Sequence, residues 1–563
     1  MKSSVNKNIQ TMKKILSVLL IACVLWGCED FLDSENKVKK SEENYPRTTA
    51  DASQLLTGVY SILSRSEPLG TPFFTSELMS DNLFGGGGPG DKSCKALDQF
   101  KKSSEDMFRQ SWRAHYFGVY RSNFLISKLN QIEWDSEEQA NKIEGEVYYL
   151  RAHFYFELSL LFGEVPLVTT PIAVNIPQTP AAQTYAQIAS DLKTAIEKLP
   201  ATSYPDIDKS KDLGRATKWS AEALMARVFL FYTGYYEKES LPLPDGSAIT
   251  KQQVANWLVD CIENSGHDLV SDFRNLWPYA YAQDYSYTKE NNLQWEGDGN
   301  KETVFAVKFS TIANWDLDYQ KSNHIALYLG LREQNTKRTA PFGIGWGMGT
   351  VNTKLWEEWD DADLRKKASI IDVKDKKELV HYADGGGSQM DETFYVQKKY
   401  TPIMTKNAEG ILVNYSCVLY NMTETNYMLT NTQDLVLIRF SDILLMAAEL
   451  GAPDAQSYLD RVRSRVNLPS VTANLDNIKK ERRFELAFEG VRYYDLLRWH
   501  DWNTITENQT NIKVYNNSEE SQKTVTFRSE TKGFLQIPKT EIELSGGLLK
   551  QNPGWEGTGN YLD

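Results

Sequence analysis

The strongest constraint on this chain is the stretch EGEVYYLRAHFYFELSLLFG, Glu144 to Gly163. Val147, Leu150, Phe154, Leu158 and Leu161 recur there at three and four residues, which places them on one face of a helix. Gly163 and Pro166 then stop it. Similar stripes occur in DASQLLTGVYSIL, QSWRAHYFGVYRSNFLISKL, TYAQIASDLKTAIEKL and KWSAEALMARVFLFYTGYY. The later segments, joined by short polar connectors, predict helical hairpins stacked in series. Their logic is that of tetratricopeptide arrays, with small and aromatic residues at helix contacts and no strict repeat period.

The middle of the chain, residues 241–431, reads differently. Short aromatic segments alternate with the glycine-rich stretches WEGDGN, PFGIGWGMG and ADGGGSQ. ETVFAVKFS predicts a strand, but most of this region predicts loops, and long loops in a compact protein usually carry function. Helical spacing returns in DLVLIRFSDILLMAAEL, APDAQSYLDRVRSRV and LDNIKKERRFELAFEGVRYYDLLRWHDW. The expected fold class is mainly α. Both ends of the chain supply a helical scaffold, and the middle supplies a loop-rich region with a few short strands.

Lys13 and Lys14 precede an apolar run from Ile15 to Trp26 that ends at Gly27-Cys28, the pattern of a secretory signal peptide. The run is shorter than the roughly 18 to 20 residues that a spanning helix needs. Cys23 also follows a small residue, but the polar run EDFLDSENK begins only after Cys28, where an apolar leader should end. This organises the chain as residues 1–27 signal peptide, 28–240 helical part, and 241–563 loop-rich and C-terminal part. Cys94, Cys261 and Cys417 are scattered, so at most one disulfide is expected. No CxxC or HExxH pattern exists and the six His are dispersed, so no metal and no cofactor is assigned. A net charge of -13 disfavours nucleic acid and phosphate-rich ligands. Fourteen Trp and 29 Tyr favour neutral ligands with stackable faces, such as sugars.

FGGGGPGDKS, Phe84 to Ser93, approaches a phosphate-binding loop, but Asp91 interrupts the Gly-Lys-Ser spacing and no buried parallel strand precedes it. It reads as a loop, either a mobile edge beside a binding surface or a plain connector. Glu485 and Glu489 lie one turn apart among Arg482, Arg483, Arg492 and Arg498. A glycosidase needs carboxylates on opposite sides of a bond, whereas these project from one helix face. The spacings Arg482 to Glu485, Glu489 to Arg492 and Asp495 to Arg498 instead predict ion pairs along the helix, so no catalytic residue is assigned.

Four ordered pieces resemble the SusD/RagB family of Bacteroidetes outer-membrane lipoproteins. They are CEDFLD at Cys28, EGEVYYLRAHFYFELSLLFGEVPL, LIRFSDILLMAAE, and ERRFELAFEGVRYYDLLRW with the terminal IPKTEIELSGGLLKQNPGW. Trp555 departs from the Tyr that the family more often carries there. The resemblance implies a SusD-like fold with tetratricopeptide-like helix pairs and a loop-borne ligand site. It implies lipidation at Cys28, with Glu29, Asp30 and Asp33 as a surface-export signal, and the outer leaflet of the outer membrane as location. It also implies a non-enzymatic lid that passes a glycan to a SusC-like TonB-dependent transporter, or, in RagB-type relatives, captures peptide. No site residue carries over by motif.

The binding candidates are aromatics set among glycines or polar turns, where packing alone does not require them. Trp295, Trp315 and Trp346 fit this description. Asp81 and Asn82, just before the glycine run, are candidates for hydrogen bonds to sugar hydroxyls.

Overall fold

A computed structural model of the chain describes residues 45–64, 68–313, 322–332, 340–379, 382, 388–557 and 560–562. The signal segment, Cys28 and Trp315 lie outside the described residues.

The stripe that opened the sequence reading becomes the central helix, Glu137–Phe162. Ser136 caps it by accepting from the Gln139 N–H, Glu137 and Glu138 face the positive helix end, and Gly163 ends it at φ 71°. It packs between Arg109–Lys128 and Ala181–Lys198, and Ala181–Lys198 packs in turn on Lys218–Tyr235. The expected small-on-aromatic contact is present: a Cβ on Gly118 would sit 2.4 Å from the Phe154 ring, so only glycine lets these helices approach.

The stack continues past residue 240 through Lys251–Asn264, a helix within the stretch expected to be loop. Its signal is a capping box, Thr250 with Gln253, followed by buried Val254, Leu258 and Cys261 at helical spacing. Phe440–Glu449 packs on Lys251–Asn264, and Ala455–Ser464 packs on Phe440–Glu449. Helices from both ends of the chain thus share one stack.

Two segments expected to be continuous helices are broken. In DLVLIRFSDILLMAAEL, residues Leu435–Arg439 form a strand before the helix Phe440–Glu449. That strand pairs antiparallel with Thr303–Val307, from Leu435 opposite Val307 to Arg439 opposite Thr303. The pairing supplies backbone bonds that an isolated helical turn could not match, and β-branched Val436 and Ile438 suit it. The ERRFELAFEGVRYYDLLRW segment divides into Leu475–Glu485 and Arg492–Arg498. Between them Phe488 and Gly490 take φ 65° and 76°, and a Cβ on Gly490 would sit 2.8 Å from the Phe73 Cα.

The loop-rich region is threaded by short sheets. The largest has four strands in the order Leu83–Phe84, Thr350–Val351, Tyr395–Gln397, Ile370–Asp372. It ties the start of the glycine run to residues more than 250 positions later. Among the described residues no disulfide joins Cys94, Cys261 and Cys417, and Cys94 and Cys261 are buried like small apolar groups.

Candidate functional site

The four glycines of the FGGGG run are buried, and their lack of side chains serves packing. A Cβ on Gly86 would lie 2.2 Å from the Gly347 carbonyl oxygen, and one on Gly85 would lie 2.5 Å from that of Cys94. Gly87 donates to the Gly347 carbonyl at 2.6 Å and accepts from the Met390 N–H at 2.8 Å. The run is therefore an interlocked crossing of backbones, neither a mobile edge nor a loose connector.

Its likeness to a phosphate loop also has a structural answer. The Gly88 N–H donates to Asp91 Oδ2 at 2.6 Å, and the Asp91 N–H returns to the Gly88 carbonyl at 3.1 Å. The protein's own carboxylate takes an amide that a phosphate loop would offer to its ligand. Lys95 donates to the carbonyls of Gly88 and Pro89, both at 3.1 Å, and Lys92 is exposed.

Arg332 connects this turn to Trp346. Its Nη1 lies 3.4 Å from Asp91 Oδ2 and donates to the Trp346 carbonyl at 3.0 Å. Residues 327–330 and 345–348 are zipped together: Trp346 N–H donates to Leu327 (2.6 Å), Gly347 to Gly330 (2.9 Å) and Met348 to Tyr328 (2.7 Å). This zipper fixes the half-buried Trp346 ring 4.8 Å from that of Tyr328. Tyr328 and Met348 then line a cleft of about 580 Å³ with Gly90, Asp91, Lys92, Ser93, Asp106, Arg109 and Gln110. The volume suits a small ligand, and the lining combines the Tyr328 ring with donors and acceptors of both charges.

Of the sequence candidates among the described residues, only Trp346 is placed near this cleft, behind the lining residue Tyr328. Trp295 belongs to another aromatic group, edge-on to Tyr281 and Tyr415 at 6.4 and 5.4 Å. Asp81 and Asn82 are corrected outright, because both are fully buried and cannot meet a ligand. Asp81 receives Arg492 Nε at 2.8 Å, Arg492 Nη2 at 3.0 Å and Asn508 Nδ2 at 2.8 Å, and Arg483 Nη2 lies at 3.0 Å. Burial would raise this carboxyl, but Arg483 and Arg492 outweigh it and hold the group well below the usual range. Tyr328, Asp91 and Arg332 were missed. Their one sequence signal is that Asp91 breaks the glycine motif.

The acid-rich helix segment is also buried, and its ion pairs differ from the expected ones. Only Asp495 pairs with Arg498 along the helix. Glu485 is bound by Arg365, Arg439 and Arg465, while Glu489 is bound by Lys399 and Arg439. Arg482 reaches Asp442 and Asp495. Burial of Glu485 opposes its charge, yet the three arginines keep its carboxyl well below the ordinary value. Burial brings the Lys399 ammonium down to about 8. This network joins the loop region to the helical stack. Among the described residues no group of His, Cys, Asp or Glu is arranged to hold a metal ion.

Fold and cleft together define a class: a tetratricopeptide-like helical scaffold with a polar cleft, walled in part by the Tyr328 ring, beside its glycine-rich loop. Residues 275–555 match the SusD family, and residues 30–230 match the family described as starch-binding associating with outer membrane. The chain belongs to the SusD family. It is 25% identical over 575 residues to SusD-like protein P2 of Formosa agariphila, a match covering 97% of this chain and 100% of that one. A laminarin binding SusD-like protein shares the fold with TM-score 0.69 and 26% identity, covering 90% of this chain and 100% of that one. Surface glycan-binding protein A from Bacteroides fluxus does so with TM-score 0.71 and 25% identity, at the same coverages. No helix among the described residues is long and apolar enough to cross a membrane.

Proposed function

We propose that this chain is a cell-surface glycan-binding lipoprotein. Anchored to the outer membrane through a lipid on Cys28, it holds an oligosaccharide in the cleft beside the glycine crossing and passes it to a SusC-like TonB-dependent transporter. The observation that carries this reading is the Tyr328 ring, backed by Trp346 at 4.8 Å, in the wall of a polar-lined cleft of about 580 Å³. A pyranose ring offers an apolar face to such rings, while Asp91, Lys92 and Gln110 offer acceptors and donors to its hydroxyls. The laminarin-binding relative supports glycan as the ligand class, with a β-glucan as the first probe. In this reading the chain catalyses nothing, and its most conspicuous carboxylates, Glu485 and Glu489, are occupied by buried cations.

The test is calorimetric titration of the mature chain with laminari-, malto-, xylo- and manno-oligosaccharides and with a casein peptide digest. Binding to one glycan class, weakened in Trp346→Ala, is expected. Binding to peptides alone would replace the glycan reading with peptide capture. Release of reducing ends on incubation would overturn the non-catalytic part. Co-purification from detergent-solubilised membranes is expected to bring down a barrel protein of transporter size.

A further inference from the structure

A second cleft, of about 800 Å³, lies where the helix Lys218–Tyr235 ends against the C-terminal part of the chain. It shares no lining residue with the first. Its walls carry Tyr235, Tyr236, His500, Trp502, Phe527 and Phe534. These rings form a continuous run. Tyr235 lies parallel to His500 (6.4 Å between ring centres, 9° between planes), His500 meets Trp502 edge-on at 4.9 Å, and Trp502 lies over Phe527 at 6.0 Å and 24°.

Core packing alone does not account for this run, because Tyr235, Trp502 and Phe527 are only half-buried and His500 is exposed. The rings are nonetheless held in place. The Tyr235 hydroxyl donates to the Lys532 carbonyl at 2.7 Å, and His500 Nε2 lies 3.0 Å from the Gly234 carbonyl oxygen. Wall groups ordered before binding spare a ligand the entropy of ordering them. Among the charged lining groups, Lys550 is drawn to the Gly547 carbonyl at 2.6 Å and Glu164 accepts from the Ala181 N–H at 3.3 Å, so both face polar partners of the protein and the rim carries two lysines against one glutamate. Flat rings rimmed by amides and a hydroxyl, Gln178, Gln551, Asn552 and Ser529, suit a polyhydroxyl ligand better than a lipid.

The two clefts flank the same C-terminal segment. Phe527 and Phe534 wall the second, while Gln536 Nε2 donates to the Ser104 carbonyl (2.7 Å), the Thr540 N–H to Asp106 Oδ1 (2.9 Å) and Arg109 Nε to Glu541 Oε1 (2.9 Å) at the first. We propose that the Tyr235–His500–Trp502–Phe527 cleft is a second carbohydrate site, taking a short neutral oligosaccharide. One polysaccharide chain then engages both clefts, and its second attachment is intramolecular.

The inference extends the glycan-binding reading to a second place, and its test separates the two. The mature chain and the variants Trp346→Ala, Trp502→Ala and His500→Ala are titrated with hexasaccharides of the laminari-, malto-, xylo- and manno- series and with the matching polysaccharides, laminarin first. Expected are two hexasaccharides per chain for the wild type and one for each variant, with polysaccharide affinity falling roughly 100-fold in each. His500→Ala keeps the test decisive where Trp502→Ala fails to fold, since His500 is exposed. One hexasaccharide per chain, abolished by Trp346→Ala and untouched by His500→Ala and Trp502→Ala, overturns the second site and leaves the first. Binding that responds to the second pair and not to Trp346→Ala overturns the first and leaves the second. No binding to any hexasaccharide overturns both.

Discussion

Replacing Asp81 by Asn separates a binding residue from a scaffold residue. Asp81 is fully buried, takes a two-pronged bond from Arg492 at 2.8 and 3.0 Å, and neighbours Arg483 at 3.0 Å. Its amide replacement keeps the shape but leaves the buried Arg492 guanidinium without its counter-charge and Arg483 with Glu358 alone. Breaking one side of such a buried pair costs about 3–5 kcal/mol. With an unfolding entropy of about 2.1 cal/mol/K per residue, a unit the length of Thr48–Asp563 loses about 1 °C of Tm per kcal/mol. Asp81→Asn should therefore melt about 3–5 °C below the wild type at pH 7 in scanning calorimetry, with glycan affinity at 20 °C unchanged. Because the folded carboxyl titrates well below its unfolded value, its stabilisation is complete above the unfolded value and is lost as pH falls through the folded one. The gap between wild type and variant should hold from pH 6 to about pH 4, the ordinary value for Asp, and shrink on acidification below it. A variant that melts with the wild type but has lost glycan affinity would refute the scaffold role and restore Asp81 as a ligand contact.

Trp346→Ala should weaken glycan binding about 30-fold, the equivalent of about 2 kcal/mol for an aromatic anchor, with the far-ultraviolet circular dichroism spectrum unchanged. Gly86→Ala forces a Cβ to 2.2 Å from the Gly347 carbonyl oxygen, so it should lower both Tm and glycan affinity by displacing the segment that carries Trp346. Gly90→Ala meets nothing within 4 Å and should match the wild type in Tm; an equal loss of Tm from the two substitutions would argue against the interlocked crossing. Burial lowers His267 to about 4, opposed by its bond to the Lys301 carbonyl, so the unfolded chain takes up a proton that the folded chain refuses. His267 should thus contribute stability in full above about pH 6.5 and lose it progressively as pH falls to about 4. A Tm difference between wild type and His267→Gln that stays constant from pH 7 to pH 4 would contradict this.

The helical scaffold was legible because a helix writes its buried face at three- and four-residue intervals, as Val147, Leu150, Phe154, Leu158 and Leu161 do. The strand Leu435–Arg439 was not, because a short apolar run has no period of its own and its state is set by Thr303–Val307, over 100 residues away. The ion pairs show the same boundary. Helical spacing named Asp495 with Arg498 correctly, but Glu485 took Arg365, Arg439 and Arg465 from three separate segments. Trp346 stood out by its setting among glycines, but its place against Tyr328 is set by the backbone bonds between residues 327–330 and 345–348. Asp81 was misread because an acid before a glycine run looks exposed until Arg492 is seen against it.

By itself, then, the sequence determined the mainly helical scaffold, the family and the class of side chain suited to a ligand, since each rests on local spacing, composition or ordered motifs. The tertiary structure alone decided the rest: that the glycines exist to let two backbones cross, that Asp91 occupies an amide a phosphate would need, and that Tyr328 joins Trp346 at a cleft. These are contacts between residues about 240 to 260 positions apart in the chain or between short segments without period, and such contacts are fixed by packing and charge in three dimensions.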